Sequence, residues 1–218
     1  MQKSRHFLYV LFLTVILAGS LSGVSLAKSN FPKMDWTNDS ILKIEAVPEL
    51  GFNYAYYLFV PRSSLSNQGA HLIVEPNNTG TSSDYLEEHE LSARQLVEAS
   101  SGRTIARSLN VPLLVPAFPR PRSVPAGATY RAYTHALCRD TLQVTDERLR
   151  RVDLQLDAMI DHAQALLLEN GLELDYQVLM NGFSASGKFT TRFPLIHPER
   201  IKALAAGGLN GIPTLPVE

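Results

Sequence analysis

The chain has 218 residues, 45% of them hydrophobic and 19% charged, with a formal net charge of −1. That is globular composition at a length that suits one domain with a sizeable core. It holds no block of basic residues of the kind that marks a nucleic-acid partner, and its single cysteine, Cys138, excludes an internal disulfide.

The first segment reads as an export signal. Lys3, Arg5 and His6 open it, Phe7 to Ala18 is almost wholly apolar, and Ser25-Leu26-Ala27 fits a cleavage site before Lys28. Residues 1–27 are therefore expected to be a secretory signal peptide, their apolar run being short for a membrane span; an uncleaved anchor is the competing reading. No cysteine lies near the cleavage point, which argues against a lipoprotein. The expected mature protein is secreted or periplasmic and has no stable membrane span. It begins at residue 28 and is mildly acidic once Lys3 and Arg5 are removed. Cys138 sits in a polar stretch, Ala136-Leu137-Cys138-Arg139-Asp140, and reads as an inert thiol.

After an irregular lead-in over 28–40, strands and helices alternate. Ile41 to Val47 and Ala55 to Pro61 are expected strands joined by a Pro/Gly turn, the second rich in aromatic and branched residues. His71 to Glu75 is a third, stopped by Pro76. A helical stretch from Asp84 to Leu109 carries Leu86, Leu91, Val97, Ile105 and Leu109 among its apolar positions, with a break at Ser100-Ser101-Gly102. Val111 to Val115 is a continuous apolar run, as in a strand covered on both faces. The Pro- and Arg-rich segment 116–144 either overhangs a substrate entrance or is a surface excursion. Leu149, Val152, Leu156, Met159, Ile160, Ala163 and Leu167 recur at helical spacing, and Gly171 lies past the helix end. Tyr176 to Met180 and Ile201 to Ala206 are the last strands. The pattern implies a largely parallel sheet with helices on both faces and an antiparallel edge made by the first two strands.

The motif that carries chemistry is Gly182-Phe183-Ser184-Ala185-Ser186-Gly187, between an expected strand and a helix over 184–195. A nucleophile elbow needs small residues two before and two after its serine, because the turn brings strand and helix within van der Waals reach. Gly182 and Ser186 hold those places, with Gly187 adding slack. The turn would raise the Ser184 hydroxyl above the carboxyl edge of the sheet, where helix-terminal amides stabilise an anion. The same residues nearly spell a phosphate-binding loop, Gly182 to Gly187-Lys188. Phe189, however, stands where a hydroxyl should bind magnesium, and a signal peptide suits no intracellular nucleotidase. A Gly/Ser turn without chemistry is the third reading.

On Asn181 to Gly187, followed by Arg192-Phe193 and His197-Pro198-Glu199-Arg200-Ile201-Lys202-Ala203, the chain resembles secreted α/β-hydrolases of the esterase and polyester-depolymerase-like kind. The resemblance is loose from Ile41 to Gly208 and specific only around the elbow. It implies an α/β-hydrolase fold for residues 28–218 and acyl transfer on a small-molecule or polymeric ester. Ser184 would attack the carbonyl and water would release the acid from an acyl-enzyme. It further implies the Ala185 amide as one oxyanion donor and Asn78 or Thr79, in the loop after the third strand, as the other. Relatives often carry His-Gly there; this chain has Asn77-Asn78. No cofactor is implied, and no metal-ligand cluster has recognisable spacing.

In this fold the acid and the histidine follow the serine. After Ser184 the chain offers only His197, Glu199 and Glu218, and His197, at the end of the elbow helix, is expected to point away. Of the earlier histidines only His135 is placed to hang near the site. The sheet would also lack its last strands. The expectation is an N-terminal part of a hydrolase, inactive as given, with the partners of Ser184 beyond residue 218. A non-catalytic binding protein on a hydrolase scaffold is the alternative.

Overall fold

The computed structural model describes residues 31–77, 82–123, 137, 142–144 and 146–209. Residues 1–27, where a signal peptide is expected, and Asn78, Thr79, His135 and Cys138 lie outside these residues, as does most of the Pro- and Arg-rich segment.

Strands β1 (Ser40–Ile44), β2 (Tyr56–Val60), β3 (Ile73–Val74), β4 (Leu113–Pro116), β5 (Val178–Phe183) and β6 (Ile201–Gly207) form one sheet in the order β1-β2-β4-β3-β5-β6. β2 runs antiparallel to both β1 and β4, and β3 is parallel to β4 and β5, as β6 is to β5. The antiparallel first pair is as expected from the short turn between them. Pro48–Leu50 forms a single 3₁₀ turn there, closed by Gly51 at φ 95°. The interior position of β3, reached by crossovers, brings the ends of β3 and β5 side by side.

Successive strand residues face opposite sides, so a strand covered twice is apolar throughout. β2 shows this: Tyr56, Leu58 and Val60 enter one core, Tyr57 and Phe59 the other, and all five are buried. The first core is closed by α3 (Val152–Glu169) and α4 (Ala185–Ile196), through Leu156, Met159, Ile160, Ala163, Phe189 and Phe193. The second is closed by α1 (Leu86–Ala99) and α2 (Ser101–Leu109) through Ala93, Val97 and Ala106. The expected apolar stripe of α3 is buried from end to end, and Gly171 follows the helix at φ 90°.

On α1 and α2 the large apolar residues lie elsewhere than at the sheet. Leu86, Leu91, Ile105 and Leu109 are exposed, while Ala93, Val97, Ala106 and His89 are buried. Small side chains let these helices approach the sheet closely, and the leucines are left on the flanks. The break between the helices falls at Ser100. Its amide closes α1 on the Leu96 carbonyl at 2.9 Å, and its hydroxyl caps α2 by accepting the Arg103 amide at 3.0 Å.

One fully buried cation ties α3 to the entry of β6. Arg200 places Nε 3.0 Å from Asp157, bonds Asp161 and Gln164 through Nη2, and stacks its guanidinium over the Tyr176 ring at 4.1 Å. Asp157, Asp161 and Gln164 recur at one-turn spacing on α3, a polar stripe readable beside the apolar one. No helix among the described residues is long and apolar enough to cross a membrane.

Candidate active site

β5 runs to Phe183 and α4 begins at Ala185, so a single residue, Ser184, makes the turn. It does so at φ 58° and ψ −116°, a sparsely populated region that a non-glycine residue occupies only when its surroundings impose it. The surroundings do so through main-chain bonds. The Ser184 amide donates to the Gly207 carbonyl of β6 at 2.9 Å, and the Ser184 carbonyl accepts the Lys188 amide at 3.1 Å to start the helix. Ser184 itself is exposed. A turn of one residue leaves no room for a phosphate cradle, and the phosphate-loop reading falls on this geometry.

The residues on either side of the turn are tightly confined. A Cβ on Gly182 would lie 2.5 Å from Thr190 Oγ1 and 2.6 Å from the Ser186 carbonyl oxygen. Ser186 is buried, and its hydroxyl turns back to accept the Phe183 amide and donate to the Phe183 carbonyl, both at 3.0 Å. Serine thus replaces the usual glycine without clash because its side chain folds onto the turn. Gly187, expected only to add slack, has a sharper role: a Cβ there would meet the Gly207 carbonyl at 2.7 Å. It is the point where α4 touches β6.

Ala185 is the first residue of α4, where an amide has no intrahelical acceptor, so its N–H is left outside the helix ladder beside Ser184. The second expected donors, Asn78 and Thr79, lie outside the described residues. The root of their loop is described. Asn77, fully buried, donates from Nδ2 to the Phe118 carbonyl at 2.8 Å, linking the end of β3 to the end of β4. Beside it, the buried Glu75 carboxyl accepts the Ser100 hydroxyl at 2.6 Å and lies so close to Gly102 that a Cβ there would stand 2.0 Å from Oε2. Burial pushes this carboxyl above its ordinary pKa, against the pull of the Ser100 hydroxyl. Sequence reasoning does not find the Glu75–Ser100 contact; a glutamate at the end of an apolar strand, followed by Pro-Asn, is the one signal that points to it.

No described histidine serves Ser184. His197 ends α4, about 20 Å along the helix from the serine. As expected it turns elsewhere: Nε2 sits 2.9 Å from Asp153 Oδ2, and both residues are buried. Arg151 grips the same carboxylate from Nε and Nη2, the shortest contact being 2.7 Å. Burial raises the Asp153 pKa, but the bonds from His197 and Arg151 outweigh it and hold the carboxyl at about 2. His162 is bonded to the Tyr56 hydroxyl at 2.7 Å, and burial lowers its pKa. His71 lies 2.8 Å from the Gln177 carbonyl, near the amino ends of β3 and β5. The buried His89 sets Nε2 3.0 Å from the Ser83 carbonyl and 3.2 Å from the Arg120 amide. Among the described residues there is no group of three or more side chains that could hold a metal ion.

No protein-family model matches the chain, and no curated protein matches its sequence. Several solved structures are similar in shape. An S-formylglutathione hydrolase from Agrobacterium tumefaciens is 15% identical over 76% of this chain and 56% of its own, with a TM-score of 0.47. Poly(aspartic acid) hydrolase-1 from Sphingomonas sp. KT-1 is 13% identical over 83% and 61%, at 0.48. A fluorophosphonate-binding serine hydrolase of Staphylococcus aureus is 10% identical over 77% and 56%, at 0.46. The chain thus spans less than two thirds of the length of each. Likenesses at this level carry no weight for activity. The fold stands on the strand order, the antiparallel edge and the strained serine between β5 and α4. The described chain has the α/β-hydrolase fold.

Proposed function

We propose that this chain belongs to an exported serine hydrolase that cleaves carboxylic esters, with Ser184 as nucleophile. The observation that carries the reading is the backbone of Ser184: a non-glycine residue at φ 58°, exposed, between a buried strand and a helix N-terminus. Such strain is retained where it aims a reacting atom. In the reaction, Ser184 Oγ bonds to the ester carbonyl carbon while its proton passes to a base. The carbonyl oxygen takes up the negative charge against the Ala185 amide and a second amide from Asn78 or Thr79. Collapse expels the alkoxide, which takes the proton and leaves as the alcohol; water then attacks the acyl-enzyme and releases the acid. In this reading the base stands outside the described residues, and His135 is the candidate within the sequence. The substrate is a small or polymeric ester.

The engagement of His71, His89, His162 and His197 elsewhere favours a second reading, a binding protein that keeps the elbow without the chemistry. Fluorophosphonate labelling of the protein recovered from its native host separates the two. An adduct on the peptide containing Ser184, absent in Ser184→Ala, is the expected result. A folded protein that takes no label establishes the binding reading instead.

A further inference from the structure

Phe183 directly precedes Ser184 and is 65% exposed at the carboxyl end of β5. A lone exposed apolar side chain needs no explanation. This one has a seat shaped for it. Its cross-strand partner on β6 is Gly207, and the ring lies against Gly207 and Gly208. A Cβ on Gly207 would stand 3.0 Å from Phe183 Cδ2, and one on Gly208 would stand 2.8 Å from Cζ and 2.9 Å from Cε2. Gly208 also holds φ 62°, a backbone that other residues rarely adopt. The glycine pair admits the ring where any side chain would displace it.

The backbone under the ring is fixed as well. The Phe183 amide and carbonyl are both bonded to the Ser186 hydroxyl, and the Ser184 amide is bonded to the Gly207 carbonyl. Ring and serine are thus held on one frame, the end of β5 against the end of β6. Leu209, 38% exposed, meets the helix side of that frame, where a Cβ on Gly187 would lie 3.1 Å from its Cδ2. The exposed Ser184 therefore has an apolar side chain on its strand side and another on its helix side.

An aromatic ring held open beside a reacting group favours flat apolar groups, because ring pairs in offset or edge-to-face contact gain more than the area they bury. Consecutive Cα atoms are about 3.8 Å apart, so a substrate ring one or two bonds from the carbonyl under attack comes within reach of Phe183. We infer that Phe183 is a specificity-determining residue, which selects esters that carry an aromatic ring next to the scissile bond. This deepens the serine-hydrolase reading and rests on it. Phe183 takes no part in acyl transfer. It receives the substrate's ring, and the glycine pair holds Phe183 in place.

The test compares three esters on the protein and its variants produced in the native host. Methyl benzoate carries a ring on the acyl side, phenyl acetate carries one on the alcohol side, and methyl acetate carries none. The readout is kcat/KM for each aromatic ester divided by that for methyl acetate, so the amount of folded enzyme cancels. Phe183→Leu is expected to lower this ratio about tenfold for at least one aromatic ester, which identifies the side that the ring serves. Phe183→Tyr keeps the ring and is expected to hold the ratio within about twofold. A ratio unchanged for both aromatic esters in Phe183→Leu, or one that falls as far in Phe183→Tyr, overturns the inference. Fluorophosphonate labelling separates this failure from that of the hydrolase reading. Protein that labels at Ser184 with unchanged ratios refutes the selection alone, whereas protein that neither labels nor cleaves the three esters refutes the hydrolase. Saturation transfer from protein to phenyl acetate then decides the role of the ring. Transfer that weakens in Phe183→Leu and persists in Phe183→Tyr upholds it; transfer that is absent, or equal in all three proteins, refutes it.

Discussion

Asp153→Ala is expected to lower folding stability by about 3 kcal/mol at neutral pH, the lower end of what breaking a buried ion pair costs. The carboxylate is wholly buried in the first turn of α3, and it joins that turn to the far end of α4. Without it His197, at the buried end of α4, loses its partner, and Arg151 loses a two-nitrogen grip. Arg151 is 39% exposed and can turn to water, which keeps the cost from the upper end of the range. Arg151 also sits at φ 51°, in the left-handed region, a strain that the Asp153 contact offsets. The pH dependence carries its own sign. The folded pKa is depressed to about 2 from 3.8, so the contribution is complete above the unfolded value and is lost as pH falls through the folded one. A depression of that size corresponds to roughly 2 kcal/mol, of which about half is gone at pH 3. Urea unfolding at pH 7 and pH 3 checks both statements. The unaltered protein should lose more stability between the two than Asp153→Asn does, and equal losses would show that the pair contributes nothing to acid sensitivity.

Asp153 and His197 also show where sequence reading stops. The α3 stripe from Leu149 to Leu167 was legible because large apolar residues at a single period bury wherever the helix lands. The elbow was legible because sterics at Gly182 and Ser186 restrict residue type directly. The faces of α1 and α2 are harder to read. Periodicity weighted towards large residues favours Leu91 and Ile105, whereas close approach to the sheet selects Ala93 and Ala106. The polar pairs were not legible. Asp153 meets His197 across 44 positions, and Glu75 meets Ser100 across 25, so no local spacing encodes either. The contacts of Arg200 with Asp161 and Gln164 span 39 and 36 positions, and no local spacing encodes them either.

The other large effect belongs to the smallest residue of the elbow. Gly182→Ala is expected to slow fluorophosphonate labelling of Ser184 about a hundredfold, because a misplacement on the order of 1 Å costs that much in reactivity. The new methyl group would meet Thr190 Oγ1 at 2.5 Å and the Ser186 carbonyl oxygen at 2.6 Å. The first obstacle is a side chain and the second is backbone, so the variants can be ranked. Thr190→Ala removes only the side-chain obstacle, and it is expected to leave the Gly182→Ala defect largely in place. Ser186→Ala disturbs no packing. It removes the hydroxyl that bonds both polar groups of the Phe183 backbone, and its cost should stay near about 1 kcal/mol of stability, read by urea unfolding. Full recovery of labelling in Gly182→Ala/Thr190→Ala would mean that the Ser186 carbonyl is free to move. The strain at Ser184 would then not be imposed by the backbone on either side of it. Failure of the second substitution to rescue the first is what a turn built from main-chain contacts requires, since the helix carbonyl at Ser186 cannot retreat without releasing α4 from β5.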